Sequence, residues 1–240
     1  METKIKLMIV GLLLVGTLLL AGCNESNPDK VLSESDKAEI NKILVNMDGN
    51  VELLLFTSQY GCFSCSKTET LLKELDQLSN KISLKTYDVD KNKDIATKYN
   101  IELVPAIVVI GKEDYGIKHY GFPGGKEFNP LLEAIIYSSM SRPTVTGDLG
   151  KKINSIKSPV EVKIFVTPTC PSCPDMVRIA SSYSIASDKI STVTIMSNEF
   201  EEYSKKYKIT AVPTTVLNET FKKEGLMDEE SFVNYVVVSS

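Results

Sequence analysis

Hydrophobic and polar positions follow the same order twice along the chain. Each half opens with a short amphipathic helix, whose apolar positions in the first half are Ile40, Ile43, Leu44 and Met47. A continuous apolar run follows, VELLLF in the first half and VKIFV in the second, which is typical of strands covered on both faces. A longer helix, a second strand, a short helix, two strands and a closing helix complete each half. This alternation predicts an α/β fold, with the first strand pair parallel and the last pair an antiparallel hairpin.

Residue identities repeat in the same register as the elements. The motif Cys-x-x-Cys at 62–65 recurs 108 residues later at 170–173. The segments KYNI (98–101) and VPAIVV (104–109) recur at the same offset as KYKI and VPTTVL. A repeat of this length is a domain rather than a solenoid unit. We therefore predict two domains, residues 36–140 and 151–240, joined by the polar linker SRPTVTGDLG at 141–150.

The N-terminus has the pattern of an export signal. Two lysines precede an apolar run from Leu7 to Leu20 that ends in small residues, which predicts a signal peptide over residues 1–22. The run is shorter than the roughly 18–20 residues that span a bilayer. The segment LAGC (20–23) resembles the lipobox of bacterial lipoproteins, which implies a lipid on Cys23 and a tether over 23–35. We expect an extracytoplasmic lipoprotein anchored in the membrane, the alternative being an ordinary secreted protein.

The cysteine count favours redox chemistry. Of five cysteines, Cys23 is assigned to the lipid, and the other four form the two Cys-x-x-Cys motifs. An exported chain that keeps its thiols only as close pairs points to disulfide exchange rather than structural cross-linking. The net charge of −4 has no basic block, which argues against nucleic-acid binding.

Both motifs follow a predicted strand and open a predicted helix. The unpaired amides and dipole at a helix N-terminus stabilise a thiolate, and a cysteine three residues on can resolve a mixed disulfide. The predicted catalytic residues are therefore Cys62, Cys65, Cys170 and Cys173. We expect Cys170 to be the stronger nucleophile because Pro171 and Pro174 fit a rigid helix start. Phe63, at the position of Pro171, is expected to cover Cys62 or to contact substrate.

The combination of strand, Cys-x-x-Cys and a later Val-Pro resembles the thioredoxin fold. The tandem arrangement, with TPTCPSCP at 167–174, is similar to the protein disulfide oxidoreductases, which are glutaredoxin-like proteins. The resemblance implies two tandem thioredoxin-like domains, each a central mixed β-sheet flanked by helices. It also implies cis prolines beside the cysteines and a substrate peptide bound as an added strand. The implied substrate-binding residues are Val104, Pro105, Val212 and Pro213.

Two positions depart from thioredoxin itself. Phe56 and Ile164 lie where thioredoxin has a buried acid that assists proton transfer. Glu52 and Glu161 recur at matching strand starts and are candidates to replace that acid, although strand starts are usually solvated. The single histidine, His119, is expected at the surface of a hairpin.

The predicted function is thiol-disulfide oxidoreductase or isomerase activity on protein substrates, with a redox partner protein and no nucleic acid. No cofactor is expected, because the chain has no Gly-x-Gly-x-x-Gly segment for a flavin or nicotinamide. The alternatives are a metal-binding or metal-carrying Cys-x-x-Cys module, including a four-cysteine zinc site, and a membrane-anchored reductant for a partner such as a cytochrome-maturation factor. We predict no metal site, and the sequence leaves the direction of electron flow open.

Overall fold

The computed structural model describes residues 30–240, so the predicted signal peptide and Cys23 lie outside the described residues. Within this range the helices are α1 Glu34–Leu44, α2 Cys65–Leu78, α3 Lys93–Lys98, α4 Phe128–Ser138, α5 Gly147–Asn154, α6 Cys173–Ala186, α7 Glu201–Lys206 and α8 Glu229–Ser239, with a 3₁₀ turn at Gly125–Glu127. The strands are β1 Val51–Thr57, β2 Ile82–Asp88, β3 Ala106–Ile110, β4 Asp114–Tyr120, β5 Val160–Val166, β6 Ile190–Met196, β7 Thr214–Leu217 and β8 Phe221–Glu224. None of these helices is long and apolar enough to cross a bilayer.

The strands form one continuous sheet in the order β2-β1-β3-β4-β6-β5-β7-β8. The predicted pairings within each half are confirmed: β1–β2 and β5–β6 are parallel, and β3–β4 and β7–β8 are antiparallel hairpins. The halves join where β4 runs parallel to β6, with Lys118 opposite Val193. The sequence pattern does not predict this junction, because each half on its own accounts for a complete four-stranded sheet.

Helices cover the two faces of the sheet unequally. On one face, apolar residues of β1 and β5 pack under α1, α2 and α4 in the first half and under α5, α6 and α8 in the second. The opposite face carries only the short α3 and α7, over a core that crosses the junction and includes Phe56, Tyr120, Phe165 and Ile195. Since both halves contribute to this core, the two domains are packed as one body.

The two domains pack on each other, and ordered structure also includes parts of the predicted tether and linker. Helix α4 of the first half packs on α6 of the second, where Arg178 of α6 pairs with Glu133 of α4. The end of the predicted tether is packed, because Leu32 is buried and its amide donates to Glu74 Oε2 at 2.9 Å. Helix α5 begins at Gly147, within the predicted linker.

The prediction that His119 lies at the surface is wrong. It is 4% exposed on β4, between Ile107 of β3 and Thr194 of β6. The prediction failed because β4 is not an edge strand: β6 of the second half pairs with it on the side away from β3. Burial lowers the pKa of His119 to about 3, and its Nε2 has no hydrogen-bond partner among residues 30–240.

Replacing His119 by leucine is expected to reduce the loss of unfolding free energy that the protein shows as the pH falls below about 6.5. The folded pKa lies below the unfolded value of about 6.5, so between pH 6.5 and 3 the unfolded chain binds more protons and stability falls as pH falls. The leucine variant lacks this proton uptake. Urea unfolding of both proteins at pH 7 and pH 4 measures the change in unfolding free energy between the two pH values. The unaltered protein is expected to lose a few kcal/mol more than the leucine variant. Equal losses in the two proteins would show that His119 is not held neutral.

Candidate active site

Both cysteine pairs are disulfide-bonded and sit at helix starts. Each pair has a Cα–Cα distance of 5.5 Å, and Cys65 and Cys173 are the first residues of α2 and α6. In the second pair the amide of Cys173 donates to Cys170 Sγ at 3.2 Å. An amide in this position, together with the helix dipole, stabilises negative charge on the first sulfur. The arrangement is therefore suited to producing a thiolate when the disulfide is reduced.

The two Val-Pro segments lie beside the cysteine pairs. Val104–Pro105 and Val212–Pro213 are cis, as the resemblance implied. Each proline directly precedes a strand, β3 or β7, that pairs with the strand leading to the cysteines, so that Ala106 is opposite Phe56 and Thr214 opposite Phe165. This register places each proline at the sheet edge from which the cysteine loop emerges. That Val104, Pro105, Val212 and Pro213 bind substrate stays a prediction.

The two sites open at the same edge of the sheet. Because β1 and β5 are both parallel to the β4–β6 pair at the centre, their carboxyl ends point the same way. Four strand steps separate β1 from β5, which corresponds to roughly 19 Å at the usual spacing of about 4.8 Å. This separation places the four cysteines in two distinct sites and argues against a shared four-cysteine zinc centre.

The sites differ in exposure. Cys62 is partly exposed, and beside it Phe63 is fully exposed and Tyr60 is 78% exposed. In the second site Cys170 is only 5% exposed, and Cys173 is buried. A folded protein disulfide reaches the sulfur of Cys62 more readily than that of Cys170. The greater nucleophilicity expected of Cys170 stays a prediction, since access and intrinsic reactivity are separate properties.

Comparisons with known proteins agree with this geometry. The thioredoxin family matches residues 31–135, and a thioredoxin domain family matches residues 160–237. Each half is a thioredoxin-fold domain. With its two Cys-x-x-Cys motifs, the chain is thiol-disulfide oxidoreductase-like and consists of two thioredoxin-fold domains in tandem.

Similar proteins share the tandem arrangement. The structure of a protein disulfide oxidoreductase from Aeropyrum pernix is 26% identical, with a TM-score of 0.75 over 85% of this chain and 92% of that one. An N-terminal domain of alkylhydroperoxide reductase from Enterococcus faecalis, 24% identical, has a TM-score of 0.78 over 85% and 99%. One component of the alkyl hydroperoxide reductase of Staphylococcus aureus is 28% identical over 78% of this chain and 34% of that protein. The chain thus spans about a third of the length of the curated relatives it matches.

In this pair of thioredoxin-fold domains, the first domain contacts the loop that leads to the second cysteine pair. The amide of Lys126 donates to the carbonyl of Pro168 at 3.0 Å, two residues before Cys170. Gly125 has a φ of +60°, and a Cβ added there would lie 2.5 Å from the same carbonyl oxygen. The glycine is therefore required both for its backbone conformation and for close approach.

Replacing Gly125 by alanine is expected to destabilise the protein by about 2–3 kcal/mol, because it adds a steric overlap to an unfavourable φ. Chemical denaturation measures this loss. Gly61→Ala is the matched control, since Gly61 also has positive φ but an added Cβ would meet no atom within 4 Å. A loss at Gly125 no larger than at Gly61 would mean that the contact with Pro168 does not hold the domains together.

A buried acid lies next to the second site, and sequence reasoning missed it. Glu127 follows Lys126, is 1% exposed, and its carboxyl oxygens have no hydrogen-bond partner within residues 30–240. Burial raises its pKa to about 8, and the charge of Arg178 on α6 only partly opposes this. The side chain therefore holds a proton near neutral pH. Its segment, GGKEF, reads as a solvated turn because the second domain that buries it is far away in sequence.

The acids suggested by the sequence lie elsewhere. Glu52 and Glu161 are at the amino ends of β1 and β5, whereas the cysteines follow the carboxyl ends. Both are partly exposed and paired with lysines, Glu52 with Lys85 and Glu161 with Lys163. The length of the strand separates them from the sulfurs, so the hypothesis that they replace the acid of thioredoxin is wrong.

Proposed function

We propose that this protein is a thiol-disulfide oxidoreductase that exchanges disulfides with protein substrates outside the cytoplasm, attached to the membrane through a lipid on Cys23. The observation that carries the redox part is the pair of disulfide-bonded Cys-x-x-Cys motifs, each at a helix start beside a cis proline. The location rests on the export signal and the LAGC segment of the sequence.

The first site is the proposed entry for protein partners. A partner thiolate attacks Cys62 Sγ, a mixed disulfide forms, and Cys65 leaves as a thiolate that takes up a proton. A second partner thiol then attacks the mixed disulfide and releases Cys62. The partner is oxidised to a disulfide, and the Cys62–Cys65 pair is reduced to two thiols. The same steps in reverse reduce a partner disulfide, and Phe63 offers that partner an apolar contact.

Exchange between the two sites of one chain requires a third participant. Thiol-disulfide exchange needs contact between sulfur atoms, whereas the strands that carry the two sites are roughly 19 Å apart at the usual spacing. A mobile dithiol on a redox partner protein is the chemistry that would connect them. We therefore propose that each site is reduced or oxidised by a partner rather than directly by the other site.

The similarity to alkyl hydroperoxide reductases favours a reducing direction, with the protein as a membrane-anchored reductant for a partner disulfide. An oxidase or isomerase role remains the competing proposal for an exported protein. The reduction potential of each pair, equilibrated in glutathione buffers, decides between them. Values near about −270 mV or below support the reductant, and values near about −180 mV or above support the oxidase or isomerase.

The proposed location has its own test. In cells supplied with radiolabelled palmitate, the full chain is expected to carry label and to sediment with membranes. Cys23→Ala is expected to lose the label. A labelled Cys23→Ala protein, or an unlabelled and freely secreted full chain, would contradict the lipid anchor while leaving the redox proposal intact.

A further inference from the structure

A carboxylate of the second domain reaches into the first cysteine motif. Glu199, in the loop between β6 and α7, accepts a hydrogen bond from the hydroxyl of Ser64, the residue directly before Cys65. Its other oxygen accepts from the amide of Phe122 at 2.8 Å. Both donors belong to the first domain, so the acid is held there by two bonds.

The duplicated motif offers a comparison in which the corresponding serine is not bound to a carboxylate within the described residues. Ser172 is its counterpart, and its hydroxyl lies 4.0 Å from the sulfur of Cys170. The position of Glu199 in the first domain is taken by Lys91, 108 residues earlier, which pairs with Asp88 instead. The two sites thus share a serine, but only in the first is that serine bound to a carboxylate from the other domain.

We propose that Glu199 is a positioning residue that makes the first cysteine pair more reducing. Its negative charge disfavours a thiolate at Cys62, and it draws away the Ser64 hydroxyl that would otherwise stabilise that thiolate. Both effects destabilise the reduced form relative to the disulfide. The proposal rests on the redox function proposed above, and it adds that the second domain sets the potential of the first site.

Glu199→Gln tests the inference because glutamine removes the charge and keeps the shape: its amide oxygen can accept from the Phe122 amide, and its NH2 group can donate to the Ser64 hydroxyl. We expect the glutathione equilibrium constant for forming the Cys62–Cys65 disulfide to fall about tenfold, which is a rise of about 30 mV for a two-electron couple. Glu199→Asp keeps the charge and is expected to change the constant less than about threefold.

Each pair can be measured separately in one sample. After thiol alkylation, trypsin releases residues 43–67 with the first pair and residues 164–178 with the second. The Cys170–Cys173 constant is expected to stay unchanged in both variants and serves as the internal control. Glu201→Gln, which neutralises an exposed acid two residues away, is the matched charge control.

The inference would be overturned by an unchanged first pair in Glu199→Gln, by equal shifts of both pairs, or by an equal shift in Glu201→Gln. A change in melting temperature without a change in the first constant would also overturn it, because it would make Glu199 purely structural. If neither pair of the unaltered protein equilibrates with glutathione, the proposed function itself fails, which is a distinct outcome.

Discussion

Replacing Cys62 by serine is expected to lower the reduction of insulin disulfides, driven by dithiothreitol, at least about 100-fold. A serine hydroxyl cannot replace the thiolate that forms the mixed disulfide. Cys62 is the sulfur that a folded partner reaches more readily, because it is partly exposed whereas Cys170 is only 5% exposed. The appearance of reduced insulin over time, compared with the unaltered protein at equal concentration, measures the loss.

Cys170→Ser is the matched control, because it removes the first sulfur of the less exposed cysteine pair and leaves Cys62 in place. We expect it to lose less than about tenfold with insulin, because the first site still meets the substrate. If Cys170→Ser lost the activity and Cys62→Ser kept it, the second site would be the entry for protein partners. The intrinsic reactivity of Cys170 is a different question. It is tested with a small alkylating reagent on the reduced protein, where the predicted order is Cys170 faster than Cys62.

Trapping distinguishes the two cysteines of the first site. Cys65→Ser leaves Cys62 able to attack but removes the thiol that resolves the mixed disulfide. A covalent adduct between this variant and insulin, cleaved by dithiothreitol and detected by mass, is therefore expected. Absence of the adduct with Cys65→Ser, and its presence with Cys62→Ser, would reverse the assigned roles.

Much of the fold can be predicted from sequence because its determinants are local. The apolar runs of β1 and β5 and the helix starts at Cys65 and Cys173 are signals carried by adjacent residues. The register of the repeat then identifies two domains of one kind, since Cys62 and Cys170 occupy the same position in both. Both domains have the same order of apolar runs and helix starts, which explains why the strand pairings predicted within each half agree with the sheet.

Contacts between the domains could not be predicted in the same way. His119 and Glu127 each follow a lysine in the sequence, and both are buried where the second domain packs against the first through β6 and α6. Glu199 likewise meets Ser64 across 135 residues of chain. Hydrophobic periodicity describes each half separately and so places these polar side chains in solvent. The acidic side chains that lie beside the two cysteine sites are the part of the candidate site that depends on the assembled fold.

Each domain supplies an acidic side chain to the other. The second domain provides Glu199 at the first site, and the first domain provides Glu127 beside the start of α6. The exchange gives a physical reason for fusing two thioredoxin folds into one sheet. Neither domain alone would hold its own cysteine pair in this electrostatic environment, although each contains a complete Cys-x-x-Cys motif and cis proline.

Replacing Glu127 by glutamine is expected to stabilise the protein at pH 8 and to leave its stability at pH 4 nearly unchanged. The folded pKa of Glu127 is about 8, above the ordinary value of 4.5, so the folded protein binds more protons between these limits. Stability contributed by this group is present below pH 4.5 and is lost as pH rises towards 8. Glutamine is neutral throughout, so the variant avoids that loss, which amounts to several kcal/mol at about 1.4 kcal/mol per pKa unit.

The same substitution is expected to slow reduction of the second cysteine pair by dithiothreitol about tenfold or more at pH 7. A carboxyl group with a pKa near 8 holds a proton that it can exchange near neutrality, whereas an amide cannot. Rates for residues 164–178 are compared with those for 43–67, which are expected to be unaffected, and Glu201→Gln controls for charge. A variant that gained stability at pH 8 but kept the rate and pH profile of the second pair would restrict Glu127 to a structural role. If stability at pH 8 also stayed the same, the carboxyl would be ionised in the folded protein, and water or a counterion would have to compensate its charge.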